Sequence, residues 1–233
     1  MLDQNQVAGK SAFDSDRAHV LSHVVARPDR AILAHILRTG INLAVWQRSV
    51  PAPILDWVRE ASLDDLLFTF RDIDFEGPAA CIGALLAAKI RSRTSSEQAA
   101  KMALVGDVAD LANVTAKIAH VTSVRTRLEW VMDQPCSYFH VDKVPLRLVC
   151  TYLGPGTEWL SDDTASRLTA PSDVPAQIEI NHLAAGDVAV MRGAPYGSAI
   201  GTALTHRSPP VHSPSDWRLF LAIDPVPSGN ARR

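Results

Sequence analysis

Cysteine is scarce in this chain. Only Cys81, Cys136 and Cys150 occur in 233 residues, an odd number with no C-x-x-C pair. That excludes a disulfide framework and a cysteine-type zinc ribbon, and reduced thiols are expected. An excess of one charge sign is also missing: 23 Lys and Arg against 25 Asp and Glu leave a formal charge of −2. Such a balance gives no electrostatic case for nucleic acid or an anionic membrane as partner. The longest apolar stretch, Ala79 to Ile90, is too short to span a bilayer and is broken by Gly83, so it reads as a buried helix. Residues 1–17 are polar and acidic, and a disordered tail rather than a secretory leader is expected there. The chain has no P-loop, no G-x-G-x-x-G fingerprint and no G-x-S-x-G elbow for a serine hydrolase. A cytoplasmic location is the expectation.

What is present is enough apolar material, 47% of residues, to bury one good core. The later part of the chain reads as strands. Val124 to Val131 alternates apolar and polar residues, as a half-buried strand does. Leu146 to Tyr152 is a second β-rich run, stopped by Gly154-Pro155-Gly156. Ile178-Glu179-Ile180 leads through Ala185-Gly186-Asp187 into Val188 to Met191, and Trp217 to Ile223 makes a last strand before Asp224-Pro225.

Among these strands lies the chemistry. Phe139-His140-Val141-Asp142 is followed far downstream by Thr205-His206-Arg207-Ser208-Pro209-Pro210, and then by Arg218 in an apolar run. Two histidines and one carboxylate are the ligand set of a facial metal site that leaves positions open. In a strand, residues i and i+2 share a face, so His140 and Asp142 would reach one ion together while a second strand brings in His206. The arrangement fits a metal in the mouth of a small β-barrel. His212, six residues beyond His206, is an alternative distal ligand, but a proline-rich loop is a less rigid platform. Cys136 precedes His140 by four residues and reads better as a small buried hydrophobe than as a ligand.

The stretch F-H-V-D-x-x-x-L-R-L-V-C-T-Y-x-G-P-G-T-E-W-L, with G-D-V-A-V-M-R-G and T-H-R-S-P-P, resembles the uncharacterised bacterial domain of unknown function 1826 family. The order of parts is also similar to the double-stranded β-helix of the cupin and Fe(II)/2-oxoglutarate oxygenase superfamily. That resemblance implies His140, Asp142 and His206 as metal ligands and Arg218 as the partner of the far carboxylate of 2-oxoglutarate. Arg127 and Arg147, on neighbouring strands, are alternative anchors. One departure stands out: the oxygenase pattern has a hydroxyl residue two positions after the arginine, where this chain has Phe220.

The first half reads as mostly helical. Pro28-Asp29-Arg30 opens a helix with Ile32, Leu33, Ile36 and Leu37 as its stripe, ended by Gly40. Ile41 to Trp46 alternates as a strand, and Pro51-Ala52-Pro53 starts a helix carrying Ile54, Leu55, Trp57 and Val58. An amphipathic helix runs from Ser96 to about His120, with Met102, Val105, Val108, Leu111, Val114 and Ile118 on its apolar side. His19, His23 and His35 have no partner at ligand spacing and read as surface or helix-packing residues. Glu158-Trp159 would shape the pocket entrance or cap the barrel.

The expected molecule is α+β, with N-terminal helices packed on a C-terminal double-stranded β-helix of cupin-like jelly-roll form. Its parts would be a tail at 1–17, a mainly helical part at 18–123 and a metal-binding core at 124–226, integrated into one domain. The expected function is that of an Fe(II)/2-oxoglutarate-dependent oxygenase, acting on a small molecule or protein that the sequence does not name. A non-catalytic zinc-binding protein of metal homeostasis is the alternative, favoured by a fourth ligand such as Cys136 or His212.

Overall fold

The computed structural model describes residues 21–90, 95–168, 177–194, 203–211 and 217–227. His212 and the expected tail at 1–17 therefore lie outside the described residues. Among the described residues ten strands form two sheets. In chain order they are β1 (Val24–Arg27), β2 (Leu43–Trp46), β3 (Asp74–Pro78), β4 (Ser123–Val131), β5 (Leu146–Leu153), β6 (Glu158–Trp159), β7 (Asn181–His182), β8 (Val188–Arg192), β9 (His206–Arg207) and β10 (Arg218–Val226). The larger sheet has the order β1-β2-β8-β5-β10-β4-β3, and the smaller β7-β6-β9. Only the β1–β2 pair is parallel.

The period-two alternation of the strands sorts side chains between the faces of the large sheet. On one face Leu148, Cys150, Tyr152, Val188, Val190, Leu219, Leu221 and Ile223 join a core shared with the helices. Helices α1 (Ala52–Glu60), α2 (Leu63–Thr69), α3 (Ile82–Lys89) and α4 (Ser95–Ala119) cover this face. Each fully buried Leu or Ile there stabilises the fold by about 1.5–3 kcal/mol relative to exposure. On the opposite face Leu43, Val45, Val149, Ala189 and Met191 pack against Trp159 of β6, Leu183 and Leu204. The small sheet thus lies against this second face and carries His206 on β9.

Helix α4 is anchored by charge as well as by apolar contact. Arg48 donates two hydrogen bonds to the carboxylate of Asp107, and the Tyr152 hydroxyl donates to the same carboxylate at 2.5 Å. Burial pulls the Arg48 pKa down, but these bonds to Asp107 more than offset it and hold the guanidinium charged. The helix thereby grips β5 and the segment after β2 together.

Several elements differ from the sequence reading. Strands β1 and β3 were not expected. β1 is a four-residue run stopped by Pro28. β3, D-F-E-G-P, has the charges and proline of a sheet edge, where an unpaired N–H costs nothing. It is held by pairing with β4 and by the bidentate bond from Arg125 to Asp74. The last strand does not stop at Asp224 but runs through Pro225 to Val226. Residues 178–180 form no strand, and β7 follows them. The stretch Arg30–Leu37 is a 3-10 helix, and its Leu37 is 53% exposed rather than part of a buried stripe. Met102 on α4 is likewise half exposed. Helix α5 (Asp162–Ser166) follows β6, where no helix was expected.

Candidate metal centre

His206 sits on β9, and His140 forms a single antiparallel bridge beside it. The two residues exchange both backbone hydrogen bonds at 2.9 Å, so their imidazoles are side by side, with ring centroids 4.7 Å apart. The expected strand at H-x-D is absent: only His140 is bridged, and Asp142 stands in the loop leading to β5. That loop is shaped by Gly193. A Cβ there would meet the Val144 carbonyl oxygen at 2.0 Å and that of Asp142 at 2.7 Å. The neighbouring N–H groups of Gly193 and Ala194 donate to Pro145 and Asp142. Only a residue without a side chain lets the end of β8 press so closely on the loop.

The ligand atoms offered by His140, Asp142 and His206 all lie within 4.8 Å of one another. His140 Nδ1 is 2.9 Å from the Tyr138 carbonyl oxygen and His206 Nδ1 is 3.1 Å from that of Leu204. A carbonyl can only accept, so Nδ1 carries a proton in each ring, and in the neutral imidazole Nε2 then presents a lone pair. Such bonds to the far nitrogen are the usual support of a metal-binding imidazole. Burial pushes the His206 imidazole well below its ordinary pKa despite the pull of Asp142, which keeps it neutral as a ligand must be. His206 Nε2 stands 3.4 Å from Asp142 Oδ2, and His140 Nε2 stands 4.0 Å from Asp142 Oδ1. Oδ2 is buried and has no hydrogen-bond partner. Two lone pairs and an orphaned carboxylate oxygen facing one another repel unless a cation lies between them, so this donor set fits a divalent ion.

The other carboxylate oxygen is engaged. Arg147 Nη1 donates to Asp142 Oδ1 at 2.6 Å, and Arg147 also grips Asp224 through Nε at 2.6 Å and Nη2 at 2.9 Å. Arg127 adds a bond to Asp224 at 3.2 Å. Arg147 and Arg127, weighed above as alternative carboxylate anchors, are therefore committed to protein carboxylates. Arg147 instead orients Asp142. This role could not be read from the sequence, because it depends on Asp224 lying opposite Arg147 across β10 and β5.

Arg218 is different. It is 4% exposed, lies on the same face of β10 as Phe220, and its guanidinium rests over the Phe220 ring at 4.4 Å. Nη2 donates to Ser208 Oγ at 3.1 Å, whereas Nη1 is buried without a partner. Among the described residues no carboxylate pairs with it. Burial lowers its pKa to about 10, so it remains a cation at neutral pH. Gly154, in the left-handed region at φ 87°, ends β5 against this strand, where a Cβ would lie 2.3 Å from the Trp217 carbonyl oxygen.

The remaining sequence candidates fall outside this group. Cys136 is exposed, not the small buried residue expected, and is no member of the ligand cluster. His23, expected at the surface or in helix packing, is buried and bonded to the Asn42 side chain at 2.8 Å. Glu158 accepts from Arg207, and Trp159 fills the core between the sheets. A cavity of about 860 Å³ between α2 and the C-terminal end of β4, lined by Leu67, Phe70, Trp130 and Met132 among others, touches none of the three clustered residues.

The family model for the protein of unknown function DUF1826 matches residues 27–224. The chain belongs to the DUF1826 family. No curated protein matches it. Among solved structures, this DUF1826 protein is similar to the rice dioxygenase for auxin oxidation, at 12% identity and a TM-score of 0.45, covering 88% of this chain and 83% of that one. A putative oxygenase from Shewanella oneidensis matches at 11% identity and 0.43, over 88% and 90%. EvdO2 from Micromonospora carbonacea var. aurantiaca, complexed with 2-oxoglutarate, matches at 14% and 0.42, over 88% and 97%. With identities this low, the chain's own residues must carry any functional reading. Among the described residues, no helix is long and apolar enough to cross a membrane.

Proposed function

We propose that this DUF1826 protein is a mononuclear metal enzyme of the 2-oxo-acid-dependent oxygenase type, built on a double-stranded β-helix whose two sheets enclose the site. The observation that carries the reading is Arg218, a buried cation with an unpartnered N–H, whose other nitrogen bonds Ser208, two residues beyond His206 of the three-residue cluster. Burying such a charge is costly unless an anion pairs with it. The carboxylate of a 2-oxo acid supplies that anion through a charge-assisted hydrogen bond.

His140, Asp142 and His206 would hold the ion from one side. Fe(II) in such a facial set supplies redox chemistry with three positions left open. The chain's residues do the rest. Tyr138 and Leu204 carbonyls lock the imidazoles, Arg147 fixes one oxygen of Asp142 so that the other faces inward, and Arg218 sets the register of the cosubstrate. Phe220 gives the guanidinium a flat apolar floor, which shields it from water and sharpens its preference for an anion. On this reading the substrate is not a nucleic acid, since the chain's balanced charge gives no electrostatic case for one.

The test is metal analysis of protein purified without oxygen, followed by addition of 2-oxoglutarate. Bound iron and a visible spectral change on addition are expected. Stoichiometric zinc with no response to any 2-oxo acid would instead establish the zinc-homeostasis alternative, and a fourth ligand would then be sought at His212.

A further inference from the structure

The geometry points to a second ligand site, the cavity of about 860 Å³ where β3 leaves β4, with a small organic cation on an apolar body, such as an arylalkylamine, as its occupant. This site is separate from the metal centre and does not rest on the oxygenase reading. The cavity has a local cause. β3 pairs with β4 as far as Asp74 opposite Arg127, and Leu128 donates its N–H to the Ile73 carbonyl at 3.0 Å. Just before Ile73, Asp72 takes a left-handed backbone, φ 56°, and the chain on its far side belongs to α2 and its end rather than to the sheet. β4 meanwhile runs on to Val131, with β10 alone beside that last stretch among the described residues. The wedge between the diverging segments is the cavity.

Its lining suits one sign of charge. The walls are apolar and aromatic: the Phe70 and Trp130 rings lie 11° from parallel with centroids 6.4 Å apart, and Leu67 and Met132 are exposed beside them. A cavity of several hundred Å³ with apolar walls and a few polar groups is the common form of a small-molecule site. Four carboxylates, Asp72, Asp74, Glu129 and Asp133, line it against one basic residue, Arg71. Arg125 holds Asp74, and Arg71 stands 3.6 Å from Asp72. Among the described residues no cation is bonded to Glu129 or Asp133. Arg218 on the neighbouring strand feels the field of Glu129, but its guanidinium is turned onto Phe220 and Ser208. The backbone adds an acceptor. In an antiparallel ladder the N–H and C=O of one residue point the same way, and the direction alternates along the strand. Leu128 points toward the β3 side, so Trp130, two residues on, points its carbonyl the same way, where β3 has ended. An ammonium group there meets a carbonyl and unneutralised carboxylates, flanked by aromatic rings that attract a cation. Its apolar body covers Leu67 and Met132, whereas an anion meets only repulsion.

The experiment is calorimetric titration of 2-phenylethylamine into the full-length protein at neutral pH, with 3-phenylpropionate as the probe of opposite charge. It needs neither metal nor 2-oxo acid, so its outcome is independent of the oxygenase reading. Saturable binding of the amine is expected, with the acid at least about tenfold weaker. The double variant Glu129→Gln, Asp133→Asn should keep the parent melting temperature, since both side chains are exposed, and should bind the amine at least about fivefold more weakly. Leu67→Ala should also weaken it by a few-fold through lost apolar contact. No saturable binding of the amine up to about 10 mM would overturn the site. Equal binding of amine and acid, or full binding in the double variant, would overturn recognition by charge. Binding of the acetylated, amidated pentapeptide Val-Lys-Val-Lys-Val more than about tenfold tighter than the amine would reassign the cavity to a basic polypeptide. A concentration-dependent dimer that Met132→Glu dissolves would reassign it to a second copy of the chain.

Discussion

His140 is the most exposed of the three candidate ligands, with 35% of its side chain accessible, whereas His206 and Asp142 are nearly sealed. Removing it should therefore empty the metal site without opening the core. His140→Ala is expected to lower affinity for a divalent ion by more than about a hundredfold, exceeding the loss seen when only an outer-shell partner is removed. The far-ultraviolet circular dichroism should hardly change, because no helix leans on this side chain. Metal content equal to the parent's would return His140 to a purely structural role. Asp187 offers a different test, remote from the metal. Burial raises its pKa to about 6, against the bond it accepts from the Ala184 N–H. The folded protein then holds an extra proton between about pH 4 and 6, so stability contributed by the neutral acid is lost as pH rises through that window. At pH 7 the ionised group costs roughly 3 kcal/mol. Asp187→Asn keeps the accepting oxygen and removes the charge. Its stability relative to the parent, from urea unfolding, should improve by about 2–3 kcal/mol between pH 4 and pH 7, and a gap that stays flat would refute the account.

At the scale of elements, the site depends on contacts between pieces that are distant in sequence. The end of β8 holds the Asp142 loop through Gly193, and Gly193→Ala would drive a methyl group into two carbonyl oxygens. That loop must then shift, carrying Asp142 away from His206. Metal affinity should fall at least tenfold while the melting temperature drops by only a few degrees, since the core strands are untouched; tight binding in this variant would show the loop to be more yielding than its geometry implies. The elements also show what could be read in advance. The convergence of His140, Asp142 and His206 was legible because ligand chemistry restricts residue type and because H-x-D is a local pattern. Arg218 was singled out only through resemblance. The hold of Arg147 on Asp142 was not legible, since it depends on which residues face each other across strands, and a one-residue slip in register would reverse it. The isolated bridge at His140 was misjudged for the same reason: pairing with β9, not local propensity, holds it extended. β3 escaped notice because its charges and proline suit an edge, where pairing overrides composition.

For the whole molecule, the mixed α and β composition was legible, and so were the principal strands β4, β5, β8 and β10. Less so was the joining of the first half to the second: β1 and β2 extend one side of the large sheet, β3 the other, and the later strands fill the middle. One consequence concerns the order of events in folding. β10, the last described strand in the chain, lies between β5 and β4 and pairs with both. A chain stopped before Arg218 would leave those two strands with open edges and would lack Asp224, the counter-charge of Arg147 and Arg127. Non-local pairing of this kind is slow to form and exposes sticky edges while it waits. Refolding from urea should accordingly be slow for the protein's size, in the range of milliseconds to seconds, and a chain ending at residue 216 should aggregate rather than fold, a result that light scattering would show. During synthesis, then, His140, Asp142 and His206 all emerge before the strand that joins β5 to β4, so their convergence is expected only once the nascent chain has closed its sheet.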